Sequence, residues 1–382
     1  MSLGQTKKYN NMEEQELMVQ QYEEYVENQE REKEEEKSET GSALPPADIV
    51  AFNELRSCAD IYRMYKKGQI DIKPDFQRGE VWTNRAQTLF IDSLMKQLPI
   101  PSLCISLDIN SQKRLVIDGL QRISTIIKFL EEDPDKDFKL CNTNQVDERI
   151  SGKKVSQIRR DSPQLCEILE NVTIPVTILR CDYTKKDHMH YLYQIFYRLN
   201  SGGNKLFNQE IRNCIYQGTF NNFLKEYVRS QDWLQFTNNT EEMVDKARFK
   251  NEELLLRFFA LNDRFNIYSG NMSSFLNDYM DDNKNANEEM IRNYRNVISK
   301  VICIAMNINN ISTSKNVREA MMVGIAKNVD NLKDIDNVQI NQLYTEMMQD
   351  PNFSAEELQD ALSTRDKVRN RINAAIRIFS QS

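Results

Sequence analysis

The sequence predicts an α+β protein: a small mixed-sheet domain followed by an all-α domain. Three observations carry that expectation. Runs rich in β-branched and apolar residues at 103–107, 114–117 and 173–180 have strand length and are bounded by polar turns. One of them ends on Asp118-Gly119 and passes straight into a helical pattern, as a strand-to-helix turn does. From residue 186 onward the apolar spacing becomes helical and stays so.

Taken in order, residues 1–46 form an acidic tail, helical or disordered, because 13–37 are Glu-rich with few apolar positions. Residues 42–46 break that pattern. Helical spacing is expected over 52–66, a short extended segment over 70–72, and a helix over 82–97 with Ala86, Leu89, Phe90, Ser93 and Leu94 on one face. The runs 103–107 and 114–117 read as neighbouring strands across a polar turn, and a helix starts near Gly119 and continues to Leu130. The charged stretch 131–150 reads as a loop. The run 173–180 reads as a further strand with Pro175 at an edge or near its start. Helices are expected at 188–199, 208–230, 241–261, 272–281, 286–308, 315–328, 338–349 and 354–380. Domain limits of 1–46, 47–205 and 206–382 follow.

A chain of 382 residues has room for two or three domains. No run of about eighteen apolar residues offers a membrane span. The N-terminus is polar, so a cytoplasmic protein with no membrane partner is expected. Seven scattered cysteines without a CxxC pair suggest reduced, mostly buried thiols rather than a disulfide framework or zinc cage. Neither haem nor flavin is expected. The net charge of −7 belongs to the tail: residues 1–40 hold twelve Glu against five Lys or Arg, and the remainder is balanced. Neutrality permits a local basic face. Arg365, Lys367, Arg369, Arg371 and Arg377 form one candidate, with a solvated helix face as the alternative reading.

The most informative segment is Leu115-Val-Ile-Asp-Gly-Leu-Gln-Arg122. Gly119 would let the backbone approach an anion, the helix start would supply amide N–H groups, and Arg122 would clamp a phosphate. Gln121 would hydrogen-bond a phosphate oxygen, a base edge or an attacking water. Asp118 would bind Mg²⁺ or accept a proton. The alternative is structural: Arg122 pairs with Asp118 or Asp92, and Gln121 faces solvent.

Two further blocks accompany this turn, Pro74-Asp-Phe-Gln-Arg-Gly-Glu-Val-Trp82 and Ile195-Phe-Tyr-Arg-Leu-Asn-Ser-Gly-Gly-Asn-Lys-Leu-Phe-Asn-Gln-Glu-Ile-Arg-Asn213. The three blocks in this order, over roughly residues 50–280, resemble the GmrSD-type N-terminal domain family. The fold of that family is similar to ParB and sulfiredoxin, and its usual signature is DGQQR. The resemblance implies a ParB/sulfiredoxin-like nucleotide-binding domain at 47–205 whose pocket is bordered by all three blocks. Gln77, Arg78, Gly119, Arg122, Arg198 and Asn200 would then bind nucleotide and phosphate. Asp118, Gln121 and Arg122 would carry hydrolysis, and Asp118 would hold Mg²⁺. Glu210 and Arg212 would hold the adjoining helix in place.

The implied function is binding and hydrolysis of an NTP, as a Mg²⁺-dependent nucleoside triphosphatase, in a bacterial defence or DNA-modification-sensing system. NTP and Mg²⁺ would be the cofactors, DNA and a separate nuclease or defence subunit the partners. Two departures from the pattern stand out. Leu120 replaces the second residue of the usual QQ pair, and Phe207 replaces an expected Ser or Thr, leaving Asn208 to cap the next helix. Sulfiredoxin-like chemistry needs a cysteine in the turn, and residues 118–122 contain none. His188 and His190 alone do not make an HNH centre, and on a helix their side chains diverge. The alternative function is a non-catalytic DNA-binding or regulatory interaction protein.

Overall fold

The computed structural model of the protein describes residues 45–72, 82–199, 206–359 and 361–380. The described residues divide into two compact units, the first ending at Gln217 and the second beginning at Gly218.

The first unit is a mixed sheet with helices. Its elements are β1 (Val50–Ser57), α1 (Cys58–Lys66), β2 (Ile70–Asp71), α2 (Asn84–Met95), β3 (Leu103–Asp108), β4 (Arg114–Asp118), α3 (Leu120–Leu130), α4 (Val155–Asp161), α5 (Pro163–Asn171), β5 (Thr173–Cys181), α6 (Lys186–Leu199) and α7 (Asn208–Ile215). The strand order is β1-β5-β3-β4-β2. β1 runs antiparallel to β5, β5 parallel to β3, β3 antiparallel to β4 and β4 parallel to β2. β3 and β5 lie inside the sheet, which is why Leu103, Ile105, Ile174, Val176 and Ile178 are all buried. Helices α1, α2, α3 and α5 pack on one another through Ile61, Ile91, Leu94, Ile123, Ile126, Phe129 and Leu169, each fully buried. Each such side chain contributes about 1.5–3 kcal/mol by leaving water. α6 packs against β4.

The expected helix over 52–66 is two elements. Residues through Ser57 pair with β5, and only Cys58–Lys66 is helical. Ser57 marks the change: its hydroxyl accepts the Asp60 N–H at 3.1 Å, an N-cap bond that starts α1 at the next residue. Pro175 lies near the start of β5 opposite Leu55, within a strand flanked on both sides.

The second unit is helical: α8 (Thr219–Tyr227), α9 (Gln231–Thr237), α10 (Glu241–Lys246), α11 (Lys250–Arg264), α12 (Met272–Asn283), α13 (Glu288–Ala305), α14 (Lys315–Lys327), α15 (Val329–Leu332), α16 (Asn337–Gln349) and α17 (Arg365–Phe379). Phe220, Phe223, Phe259, Tyr279 and Tyr294 form its aromatic centre, with ring centroids 4.9–6.3 Å apart. The expected continuous helix 208–230 breaks at Gly218, where an added Cβ would lie 2.0 Å from the Lys284 carbonyl oxygen. The expected helix 354–380 is shortened to α17. No helix of the described residues is long and apolar enough to cross a membrane.

The cysteines are free thiols, five of them buried. Burial pushes Cys58 and Cys104 up to about 12.

Candidate phosphate site at the strand-to-helix turn

β4 delivers Asp118 to the sheet edge of the turn, with Cys104 of β3 as its cross-strand neighbour. The β3–β4 register shifts between Cys104 and Ile105, a bulge immediately before the turn. A bulge re-aims the side chains that follow it. Gly119 then adopts φ +94° and α3 begins at Leu120. A Cβ at residue 119 would sit 2.3 Å from Leu103 Cδ2 and 3.1 Å from Arg122 Nη2, so this turn needs glycine for its conformation and for its space. Leu120 is buried, an apolar anchor at the first position of the helix.

Arg122 lies over this turn. Its Nη2 donates to Asp118 Oδ2 at 2.5 Å. Its Nη1 donates to the Pro101 carbonyl and to the Ser102 carbonyl, the latter at 3.3 Å. The guanidinium is largely enclosed while Asp118 is well exposed, so the pair presents a carboxylate to solvent and a cation behind it. The Asp118 partner of the structural reading is therefore present, and Asp92 is engaged elsewhere, by Lys96 and the Asp147 N–H. Gln121 Oε1 accepts the Trp82 backbone N–H at 3.2 Å, and the Trp82 ring packs edge-on against Phe90 at 5.4 Å. This contact ties the end of the Pro74–Trp82 block to the turn.

Gln77 and Arg78 lie outside the described residues, as does Asn200. Arg198 is exposed near the end of α6. In the third block, α7 buries an unusual run of polar side chains: Gln209, Glu210, Arg212 and Asn213. Glu210 Oε2 accepts the Phe207 N–H at 2.7 Å and Arg212 Nη1 donates to Gln209 Oε1 at 3.2 Å. The N-cap position is Phe207, not Asn208. The carboxylate of Glu210 reaches back to the cap N–H, so one half of a capping box serves the helix without a Ser or Thr.

Cys104 is the residue beside the turn that sequence distance hides. Burial, with the Asp118 charge adding to it, raises its thiol to about 12, which keeps it protonated and a poor nucleophile. Among the described residues, no group of three or more His, Cys, Asp or Glu side chains is arranged to hold a metal. Asp118 alone fits Mg²⁺ only in the form that takes one carboxylate and completes its shell with phosphate oxygens and water. His188 is a structural residue: its buried ring accepts the Asp182 N–H at Nδ1 and meets Asp48 Oδ1 at 2.9 Å through Nε2.

The C-terminal bases do not all share one solvent-facing stripe: Arg371 is buried, whereas Arg365 and Arg377 are exposed. Arg371 is core, 4.0 Å from Glu319; Lys367 pairs with Glu357 at 3.3 Å and Arg377 with Asp350 at 2.5 Å.

Residues 58–217 match the family model described as the GmrSD restriction endonuclease, N-terminal domain. No curated protein and no solved structure matches the chain.

Proposed function

Starting from the GmrSD-type N-terminal domain that residues 58–217 carry, we propose that the Asp118–Arg122 turn binds the phosphates of a nucleoside triphosphate within a bacterial, cytoplasmic, restriction-related system. The observation that carries this reading is the convergence at one bulged turn of a left-handed glycine, a helix start and an enclosed arginine. Helix-start amides and a guanidinium together match the charge and the donor geometry that phosphate requires. The domain is read as ParB/sulfiredoxin-like, with Gln77, Arg78, Arg198 and Asn200 as further ligands from the flanking blocks.

In this reading phosphate competes with Asp118 for Arg122, and the Asp118 carboxylate so released would hold Mg²⁺. The metal would neutralise phosphate charge; Arg122 would hold the phosphate oxygens, and the buried Leu120 would keep the helix start in place. A water-orienting role for Gln121 requires its Oε1 to leave the Trp82 N–H. Binding therefore requires Arg122 to exchange Asp118 for phosphate, and turnover requires Gln121 to move as well.

Calorimetry with ATP, GTP and CTP in the presence of Mg²⁺ tests the proposal. Binding that Arg122→Ala weakens by at least tenfold is expected; no binding of any nucleotide by the wild type overturns it. Phosphate release, if measured, should fall in Asp118→Ala and Gln121→Ala.

A further inference from the structure

We infer that Thr177, acting through Ser102, is a positioning residue for Arg122. The inference rests on the phosphate-site reading for its functional consequence but not for its geometry. Arg122 leans on the two carbonyls just before β3, those of Pro101 and Ser102. Those carbonyls lie ahead of the first residue of β3, so the β3 ladder bonds do not themselves hold them.

A side-chain ladder does. Ser102 Oγ lies 3.2 Å from Thr177 Oγ1, and Thr177 Oγ1 donates to Asn53 Oδ1 at 2.8 Å. Because the Thr177 proton goes to Asn53, Thr177 can only accept from Ser102, whose single proton is shared between Thr177 Oγ1 and the Leu103 carbonyl 3.0 Å away. The ladder crosses three adjacent strand positions, from the entry of β3 over β5 to the edge strand β1.

The same entry segment is the floor of the turn. Leu103 follows Ser102 and is the residue a Cβ on Gly119 would strike. A shift of Ser102–Leu103 therefore moves both the carbonyls that orient the guanidinium and the wall against which Gly119 turns. The neighbouring register shift at Cys104–Ile105 leaves this end of β3 with less ladder support from β4. A hydroxyl pair to β5 supplies an independent tie.

A hydrogen bond at such an exposed position is worth at most about 0.5–1.5 kcal/mol, which corresponds to roughly a two- to tenfold effect on a property that depends on it. The experiment uses the full chain labelled with [¹⁵N]arginine, with the Arg122 guanidinium signal assigned from the Arg122→Lys spectrum. Thr177→Val is expected to speed rotation and hydrogen exchange of that guanidinium by roughly two- to tenfold. Thr177→Ser, which keeps the hydroxyl, should restore wild-type behaviour, and Thr173→Val at the exposed start of β5 should have no effect. Affinity for inorganic triphosphate should follow the same order, and Thr177→Val should cost nothing further in an Arg122→Ala background. An unchanged Arg122 signal in a folded Thr177→Val protein overturns the positioning role. A changed signal with no triphosphate binding by any variant, wild type included, keeps that role and rejects the phosphate site instead.

Discussion

Gly119 concentrates the local constraints on the turn in a single residue. Its φ of +94° and the 2.3 Å approach that a Cβ would make to Leu103 act together, since relieving one does not relieve the other. Gly119→Ala should cost about 1–3 kcal/mol of stability in the sheet unit, read by urea unfolding with Trp82 fluorescence in a Trp233→Phe background. A cost near zero would mean that the turn relaxes freely. Asp48 offers a pH-dependent test. Its hydrogen bonds to Lys185 and His188 hold its carboxyl down at about 2, against an ordinary value of 3.8. A depressed folded value means that the stabilisation is complete above the unfolded value and disappears as pH falls towards 2. Asp48→Asn should therefore flatten the acid side of the melting-temperature profile between pH 5 and 2 while changing its neutral side less. A profile parallel to wild type at all pH values would reject the assignment. The motif residues Asp118, Gly119 and Arg122 were legible in sequence because strand, acid, glycine and helix start are contiguous. Cys104 and Thr177 were not, since only strand pairing brings them to Asp118 and Ser102.

Among elements, the interior strands were readable from their apolar runs and several helices from their spacing, whereas the short helices α4 and α5 were not anticipated. Nor was β1: its residues are mostly exposed and alternate poorly, so tertiary pairing with β5 decides its state. The same reasoning explains the C-terminal helix, whose arginines look like a surface stripe in sequence. Arg371 instead turns inward beside Arg257, which grips Glu319 through Nε at 2.5 Å and Nη2 at 3.0 Å, all three side chains being buried. One carboxylate thus serves two interior guanidiniums on α11, α14 and α17. Glu319→Ala leaves both cations without it and should destabilise the helical unit by about 3–5 kcal/mol, followed by Trp233 fluorescence in a Trp82→Phe background. Joint Arg257→Met and Glu319→Leu should cost less than Glu319→Ala alone; an equal or larger loss would show that shape rather than charge governs the site.

On the scale of the whole chain, apolar spacing indicated a sheet-bearing part followed by helices, because strand-like runs stop before residue 186 and the last strand is Thr173–Cys181. The compact sheet unit nevertheless continues through α6 and α7 to Gln217, since α6 packs on β4 and α7 on α6. Helical spacing marks an element type; the surface against which that element is buried decides its unit. Strand order carries a temporal consequence as well. β1 is made early, but its partner among the described strands is β5, and Ser57 must wait for Thr173. At roughly 5–20 residues per second of synthesis, that gap lasts about 6–25 s. During it Val50, Phe52 and Leu55 belong to an unpaired strand on the ribosome. Stalled chains ending before β5 leaves the exit tunnel should be cut within residues 50–57 by a protease that spares longer ones, so the birth order of the strands, rather than the stability of the finished sheet, sets the interval in which this protein is most exposed to misfolding.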